Sequence, residues 1–483
     1  MPKPRVKLHP PHLDSPLRQE EAERIASDPA QVAVHPFYPF LRRNQHWTKF
    51  PKKGTEPGKA DVKDRPISYA AKLDAFIFSY YRETLYDHYE RELKRLGLSQ
   101  CVLAYRHIPF QTGKGGKCNV HFADHAFRII RSLGSCTTFA LDIRQFFENL
   151  DHERIKQVWW QLLGSRAPKR KSQLLPDDHY NVYKAVTQYS FIDRDMAYKK
   201  LGHLAEVPSA SGRKQWRFTL PRNDFPPQIC GPRQFRAELK GLIRHNSNPF
   251  GIPQGSPISD LLANAYMIDF DREMNQLISQ AGGSYFRYSD DILIILPDRA
   301  ENWAETLAAT EDVLKRTAPR LELKGTKTQV HRYKPIGGGP DQEQRLVSSS
   351  KGPDGMEYLG FRYDGKKVYL RNTTIAGFQR KITAVAERMA WNHVVHHPEL
   401  SLEQLVSSFN YNVLIRRFGR VNGFDFPGRE YTTWTFWTYI KKSSRVLGPL
   451  GAPLVRQINS YKEFARKRAR SAIETAFNHS HSK

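Results

Sequence analysis

The sequence predicts an α+β fold, with a strand-rich centre followed by a basic helical C-terminal part. Three stretches carry this reading. Thr137–Ile143 (TTFALDI) is an apolar run of strand length that ends in an aspartate and an isoleucine. Residues 285–296 (YFRYSDDILIIL) are two apolar half-strands around a polar turn, the pattern of a hairpin. From 374 onward Ile375, Phe378, Ile382, Val385 and Met389 recur at helical spacing, with Arg380, Lys381 and Arg388 off the stripe.

In chain order, the first stretch is rich in Pro, Lys and Arg, and 49–65 reads as an exposed basic loop. Leu73, Phe76, Ile77, Tyr80 and Tyr81 then mark a helix. Cys101–Tyr105 is a short strand candidate, followed by a Gly-Lys loop over 111–117. That loop lacks the G-x-x-x-x-G-K-[ST] pattern, so it is not a P-loop. The region of about 160–250 is basic and mixed in pattern, with Lys169-Arg170-Lys171 and Arg213-Lys214. Residues 251–260 form a turn that starts a helix, 302–318 read as helix, and Asp364-Gly365 marks a second hairpin. A last helix, about 455–477, carries Lys462, Arg466, Lys467, Arg468 and Arg470.

Lys and Arg number 75 against 49 Asp and Glu, a net charge of +26, which favours a polyanionic partner: nucleic acid first, anionic lipid second. No apolar run is long enough to span a membrane, and the basic N-terminus lacks the apolar core of a secretory signal. The four cysteines (Cys101, Cys118, Cys136, Cys230) have no C-x-x-C spacing, which argues against a zinc ribbon or disulfide framework and fits a reducing cytoplasm.

The chemistry lies in the acids. Asp142 ends an apolar strand, and Asp290-Asp291 sit in a turn between apolar arms, where unpaired carboxylates would be costly. Such a pair is ordinarily a solvated turn; a divalent metal would explain it on a buried scaffold. Nucleotidyl transfer needs carboxylates of this kind, because magnesium takes few protein ligands and completes its shell with phosphate and water.

Five segments decide between these readings by their order. FALDIRQFF (139–147), GIPQGSPIS (251–259), FRYSDDILI (286–294), LELKGTKT (321–328) and EYLGF (357–361) resemble motifs A to E of reverse transcriptases, in their proper sequence. Upstream, RPISYAAKLDAFI (65–77) and AYR (104–106) resemble the fingers motifs of bacterial members.

The resemblance implies a right-hand polymerase, fingers and palm with an antiparallel palm sheet, then an α-helical thumb. It divides the chain into a basic N-terminal extension (1–64), fingers and palm (65–373, with a basic insertion at about 160–250) and thumb (374–483). It implies Asp142, Asp290 and Asp291, with the Ile143 carbonyl, as ligands of two Mg²⁺ ions, Mn²⁺ being an alternative. It makes Lys327 the acid for departing pyrophosphate and Phe147 a steric gate against the ribose 2′-hydroxyl. Gln254 and Gly255 would lie at the incoming nucleotide, with Arg65 and Arg106 at its triphosphate. Lys114 and Lys117 are weaker candidates for that role. Tyr358-Leu359-Gly360 resembles the primer grip. Trp434, Trp437 and Tyr439 would face duplex or form thumb core.

The spacing of His393, His396 and His397 admits a metal, although a solvated helix end explains it more simply. The 65–90 stretch and the LDIRQFFENLDH block look most like stand-alone bacterial enzymes of the "unknown group", the antiphage defence-associated reverse transcriptases, class 2 first and retron enzymes second. That likeness implies a structured non-coding RNA template, dNTP substrates, a cDNA product and an RNA–DNA duplex. Untemplated or protein-primed synthesis, and an idle RNA-binding scaffold, are the alternatives.

Overall fold

A computed structural model describes residues 11–48, 62–113, 115–164, 175–208, 214–221, 224–298, 303–348, 354–419 and 435–481. Lys114, Lys169–Lys171, Arg213, Trp434 and most of the basic loop lie outside the described residues.

The apolar runs that read as strands build the central sheet. Its order is β11 (Gln342–Leu346), β10 (Gln329–Pro335), β3 (Cys136–Asp142), β9 (Asp291–Pro297), β8 (Ser284–Tyr288), with every neighbouring pair antiparallel. Strand side chains alternate between faces, and both faces are covered, which is why Ile292–Ile295 shows no polar alternation. Ile292 and Ile294 enter one core with the helix Lys72–Arg95 and the helix Ser259–Tyr266. Leu293 and Ile295 enter a second core shared with the C-terminal helices.

That second core extends through a small sheet, β12 (Met356–Tyr358), β13 (Phe361–Tyr363), β14 (Val368–Leu370), into the helices Asn372–His396 and Tyr461–His481. The stripe read from Phe378 and Ile382 is the buried face of the first of these helices, joined by Ala386 and Ala390. The β12–β13 turn has positive φ at Leu359 (47°) and Gly360 (93°), as a two-residue hairpin turn of the primed type requires. The Asp364-Gly365 hairpin forms with a longer loop, 364–367, between β13 and β14. The last helix expected over 455–477 is two, Ala452–Ile458 and Tyr461–His481.

A four-stranded sheet, β2 (Val62–Tyr69), β1 (Phe40–Thr48), β4 (Ser190–Asp193), β7 (Arg244–His245), lies beside the palm. Between β4 and β7 the chain makes a two-stranded hairpin, β5 (Leu204–Pro208) and β6 (Lys214–Phe218). The architecture is α+β, a right-hand fingers and palm with an antiparallel palm sheet and a C-terminal helical region.

Two expectations fail locally. Cys101–Tyr105 is not a strand: Val102 makes one isolated bridge to Arg287, with Arg287 N donating to Cys101 O (2.8 Å) and Leu103 N to Arg287 O (2.9 Å). A boundary at 64/65 falls inside β2, and the described part of 1–64 is integral: Ala22, Ala26 and Val32 are core, and β1 is an inner strand of its sheet. Basic composition hid this, since a few alanines and one valine suffice for a short packed face.

Because β9 is covered on both faces, Ile294→Ala is expected to cost about 2–5 kcal/mol by urea denaturation, whereas a loss below about 1 kcal/mol would mean that one face is open.

Candidate active site

Register brings the acids together. Asp142, last in β3, pairs across the ladder with Asp291, first in β9. The β8–β9 turn has only Ser289 and Asp290 at its tip, and Ser289 takes a left-handed φ of 61°. Ile143 N donates to Asp290 O at 3.0 Å, tying the turn to the end of β3. On the other side Lys324 N donates to Asp142 O (2.7 Å) and Arg144 N to Glu322 O (2.9 Å). These bonds set the short 3₁₀ turn Gly325–Lys327 beside the acids, and the Lys327 ammonium ion-pairs with the Asp142 carboxylate.

Burial pushes the Asp291 carboxyl up to about 7, with the charges of Asp290 and Asp142 adding to the shift and Arg371 and Lys327 opposing it. Asp290 is raised by burial and then by Asp142, against its own backbone bond, Lys327 and Arg65. Asp290 and Asp291 are therefore held above the ordinary carboxylate range at one sheet end, with too little cationic charge nearby to offset their burial. Among the described residues no ready-made cluster of three metal-ligating side chains exists. The carboxylate surplus at Asp290 and Asp291 suits a hard cation that completes its shell with phosphate and water.

The turn is held from behind by residues that the sequence reading passed over. Arg287, one residue before Tyr288, is fully buried (0% exposed). Its guanidinium grips Asp271 bidentately, Nε to Oδ1 and Nη2 to Oδ2, both at 2.7 Å, and Tyr285 donates to the same carboxylate at 2.7 Å. Nη1 donates to Asn264 Oδ1 and to Ser289 O, each at 3.1 Å. Ser289 Oγ shares a hydrogen bond with the Tyr105 hydroxyl at 3.0 Å, and Arg82 joins the Tyr105 carbonyl (3.2 Å) to Asp260. An arginine beside two aromatics looks like a surface cation in sequence. The available signal was its position on a strand whose neighbours are all apolar or aromatic.

The other expected residues divide. Phe147 is buried, packs on Phe146 (5.6 Å between ring centroids), and its carbonyl accepts from Ile252 N (2.9 Å), so it underlies the 251–255 turn. Gln254 lines a cavity of about 300 Å³ with Arg42, Glu148, Tyr189 and Asn246. Gly255 has φ 111°, and a Cβ there would lie 2.6 Å from Ser68 O, so its bareness admits the close approach of strand β2. Arg65 is exposed and close enough to Asp290 to lower its pKa.

Arg106 is not brought to the acids. Its buried guanidinium holds Glu90 bidentately (2.7 Å each) and the carbonyls of Ser99 and Val102, which leaves it no reach to a triphosphate. Lys117 is exposed on its loop. The Tyr358 hydroxyl is buried without a hydrogen-bond partner and feels the charge of Asp291. Trp437 and Tyr439 pack against the second core, Trp437 stacking near Tyr461 (5.3 Å). The His393 and His397 rings meet edge-on (5.1 Å between centroids), with His393 bonded to Leu405 O (3.1 Å) and His397 facing Glu399 (3.6 Å), but His396 bonds away to Asn392 O (2.6 Å), so the three do not form one cluster.

Two outcomes follow from this geometry. Arg287→Met strands Asp271 and is expected to cost about 3–5 kcal/mol in denaturation, with much of it recovered in Arg287→Met/Asp271→Leu. The Asp291 carboxyl sits above its ordinary value of 3.8. Its favourable effect on folding is therefore complete below about pH 3.8 and is lost as pH rises through about 7. Metal-free Asp291→Asn is accordingly expected to unfold at higher urea than wild type at pH 8, with the gap closing toward pH 4; a constant gap would remove the assignment.

Among known families, the model described as "Reverse transcriptase (RNA-dependent DNA polymerase)" matches residues 178–363, which include the Asp290-Asp291 turn and leave Asp142 upstream. No curated protein matches the chain. Solved structures with similar folds include telomerases. Apo telomerase from Candida tropicalis, truncated from the C-terminal domain, has 10% identity and TM-score 0.33, covering 73% of this chain and 60% of its own. Telomerase from Candida albicans with a TWJ fragment of telomeric RNA has 10% identity and TM-score 0.33, covering 93% and 65%. The corresponding Candida tropicalis complex has 11% identity and TM-score 0.34, covering 95% and 67%. The chain thus spans 60–67% of the length of these structures, and likeness at this level carries no functional inference. The family match, together with the motif order and the acid geometry, establishes that the chain contains a reverse transcriptase domain, the domain of an RNA-directed DNA polymerase.

Proposed function

We propose that the protein as a whole is an RNA-directed DNA polymerase working at the Asp142–Asp290–Asp291 site. The observation that carries this reading is the β3–β9 register, which sets Asp142 against Asp291 with Asp290 beside them and Lys327 in contact. In the reaction a primer 3′-oxygen bonds to the α-phosphorus of a dNTP as the bond to pyrophosphate breaks. Two bound magnesium ions would supply Lewis-acid stabilisation of that charge, held by the three aspartates and the Ile143 carbonyl, and manganese suits the same oxygen ligands.

The chain's own residues do the rest. Lys327 holds a positive charge against Asp142, where it can also give a proton to the leaving group. Arg65 adds charge beside Asp290. Phe147 fixes the floor of the 251–255 turn and, in our reading, closes the space that a ribose 2′-hydroxyl would need. The β12–β13 hairpin, with Tyr358 near Asp291, is placed to hold a primer end.

The finer reading rests on sequence likeness: a stand-alone bacterial enzyme of antiphage defence, cytoplasmic, copying an associated structured non-coding RNA into cDNA. A retron-type enzyme, or untemplated or protein-primed synthesis by the same site, would use the same acids. An idle RNA-binding scaffold would not. Asp290→Asn is expected to reduce primer extension by roughly 10²–10³-fold or more. Full extension by that variant would overturn the assignment of the chemistry to Asp290, and intact phage protection with Asp290→Ala would establish the scaffold instead. Phe147→Ala is expected to raise ribonucleotide incorporation, measured as alkali-labile sites in the product; unchanged discrimination removes the gate.

A further inference from the structure

The β5–β6 hairpin belongs to none of the elements that build the acid site. Its second strand places Trp216 and Phe218 at alternating positions, Leu220 follows just past the strand's end, and the three are exposed at 46%, 51% and 43%. Scattered exposed apolar residues are ordinary; two aromatic rings on one side of a two-stranded ribbon, with an exposed leucine just beyond, need a reason. Phe218 is braced edge-on by Phe225 (5.4 Å) and Tyr198 (5.9 Å), and Lys199 caps Trp216 at 3.9 Å from its ring centroid. The rings are thus held in place while about half of each stays exposed, Lys199 lying over one face of Trp216.

Across from them run the distal ends of the two long C-terminal helices, leaving a groove of about 1630 Å³. The helix wall carries Arg388 and Arg468, both exposed, with Trp391 between polar neighbours such as Thr383, Asn392 and Ser471. Glu387 is the single acidic side chain among the described residues that line the groove. These residues lie well along the helices from Arg371, which precedes the helix Asn372–His396 and whose charge acts on Asp291.

We infer that this groove binds single-stranded nucleic acid at a place separate from the acid site. One wall offers flat, braced rings and the other offers cations. A chain that alternates unstacked bases with phosphates satisfies both walls at once. An apolar peptide or helix would leave the arginines unmatched, and a duplex would offer no base to the rings. Such a site would hold a strand that is running toward or away from the acids, adding affinity for a partner RNA beyond what the reaction needs.

The test is fluorescence anisotropy of the full-length protein with labelled oligouridylate and oligothymidylate, without metal or dNTPs, so its outcome is independent of the polymerase reading. Trp216→Ala/Phe218→Ala is expected to weaken single-strand binding roughly tenfold or more, while a blunt RNA–DNA hybrid binds as before. Arg388→Ala on the opposite wall is expected to weaken single strands and to lower the salt slope of binding by about 0.7. Equal weakening of the oligouridylate and oligothymidylate means that both strands use the groove; loss of one alone names its ligand. If both variants bind single strands like wild type, or if the aromatic pair loses hybrid and single strand alike, the inference is overturned.

Discussion

Much of the site depends on one buried ion pair. Arg287 and Asp271 are both withdrawn from water, a placement whose desolvation cost is offset only by near-complete hydrogen bonding. The bonding is nearly complete: the carboxylate takes both arms of the guanidinium and the Tyr285 hydroxyl, and the remaining guanidinium nitrogen reaches Asn264 and the Ser289 carbonyl. The pair therefore clamps the helix bearing Asp271, the helix bearing Asn264 and the strand β8 at one point. Its reach to Ser289 O holds a turn residue at positive φ, a conformation that a serine adopts only when its surroundings enforce it. Asp290 and Asp291 inherit their positions from that turn.

A basic protein with an acid-crowded centre follows from the same geometry. Net charge of +26 describes the surface that meets a polyanion. Where β3 ends and β9 begins the sign reverses, and Lys327, Arg65 and Arg371 only partly compensate Asp290 and Asp291. A bare site of this kind stores unfavourable charge that a divalent cation can relieve. This is how a fold can pre-form a metal site while being strained without the metal. Lys327 supplies part of that compensation through its ion pair with Asp142.

Sequence revealed the acids because their context was improbable: an Asp-Asp pair between apolar half-strands, with another aspartate closing an upstream apolar run. Periodicity revealed the helices beginning near 72, 303 and 372, because burial on one face leaves a readable period, and the Asp-Gly pair revealed the hairpin at 364. Tertiary contacts were not readable in the same way. Arg106 sits in a motif expected at the triphosphate, yet Glu90 and two carbonyls consume its donors. Gly255 looked like a nucleotide approach, and the close neighbour is Ser68 of an adjacent strand. Cys101–Tyr105 had strand composition but found only one bridge partner. In each case the deciding atom comes from a segment that no local window contains.

The most direct test of templated synthesis at the three aspartates is to sequence what the protein makes. Purified wild-type protein would receive a synthetic RNA of fixed sequence, an annealed DNA primer, all four dNTPs and Mg²⁺. A DNA extension complementary to the RNA, and absent with Asp290→Asn, is the expected result. An extension whose sequence ignores the RNA, or one that survives loss of Asp290, would contradict it.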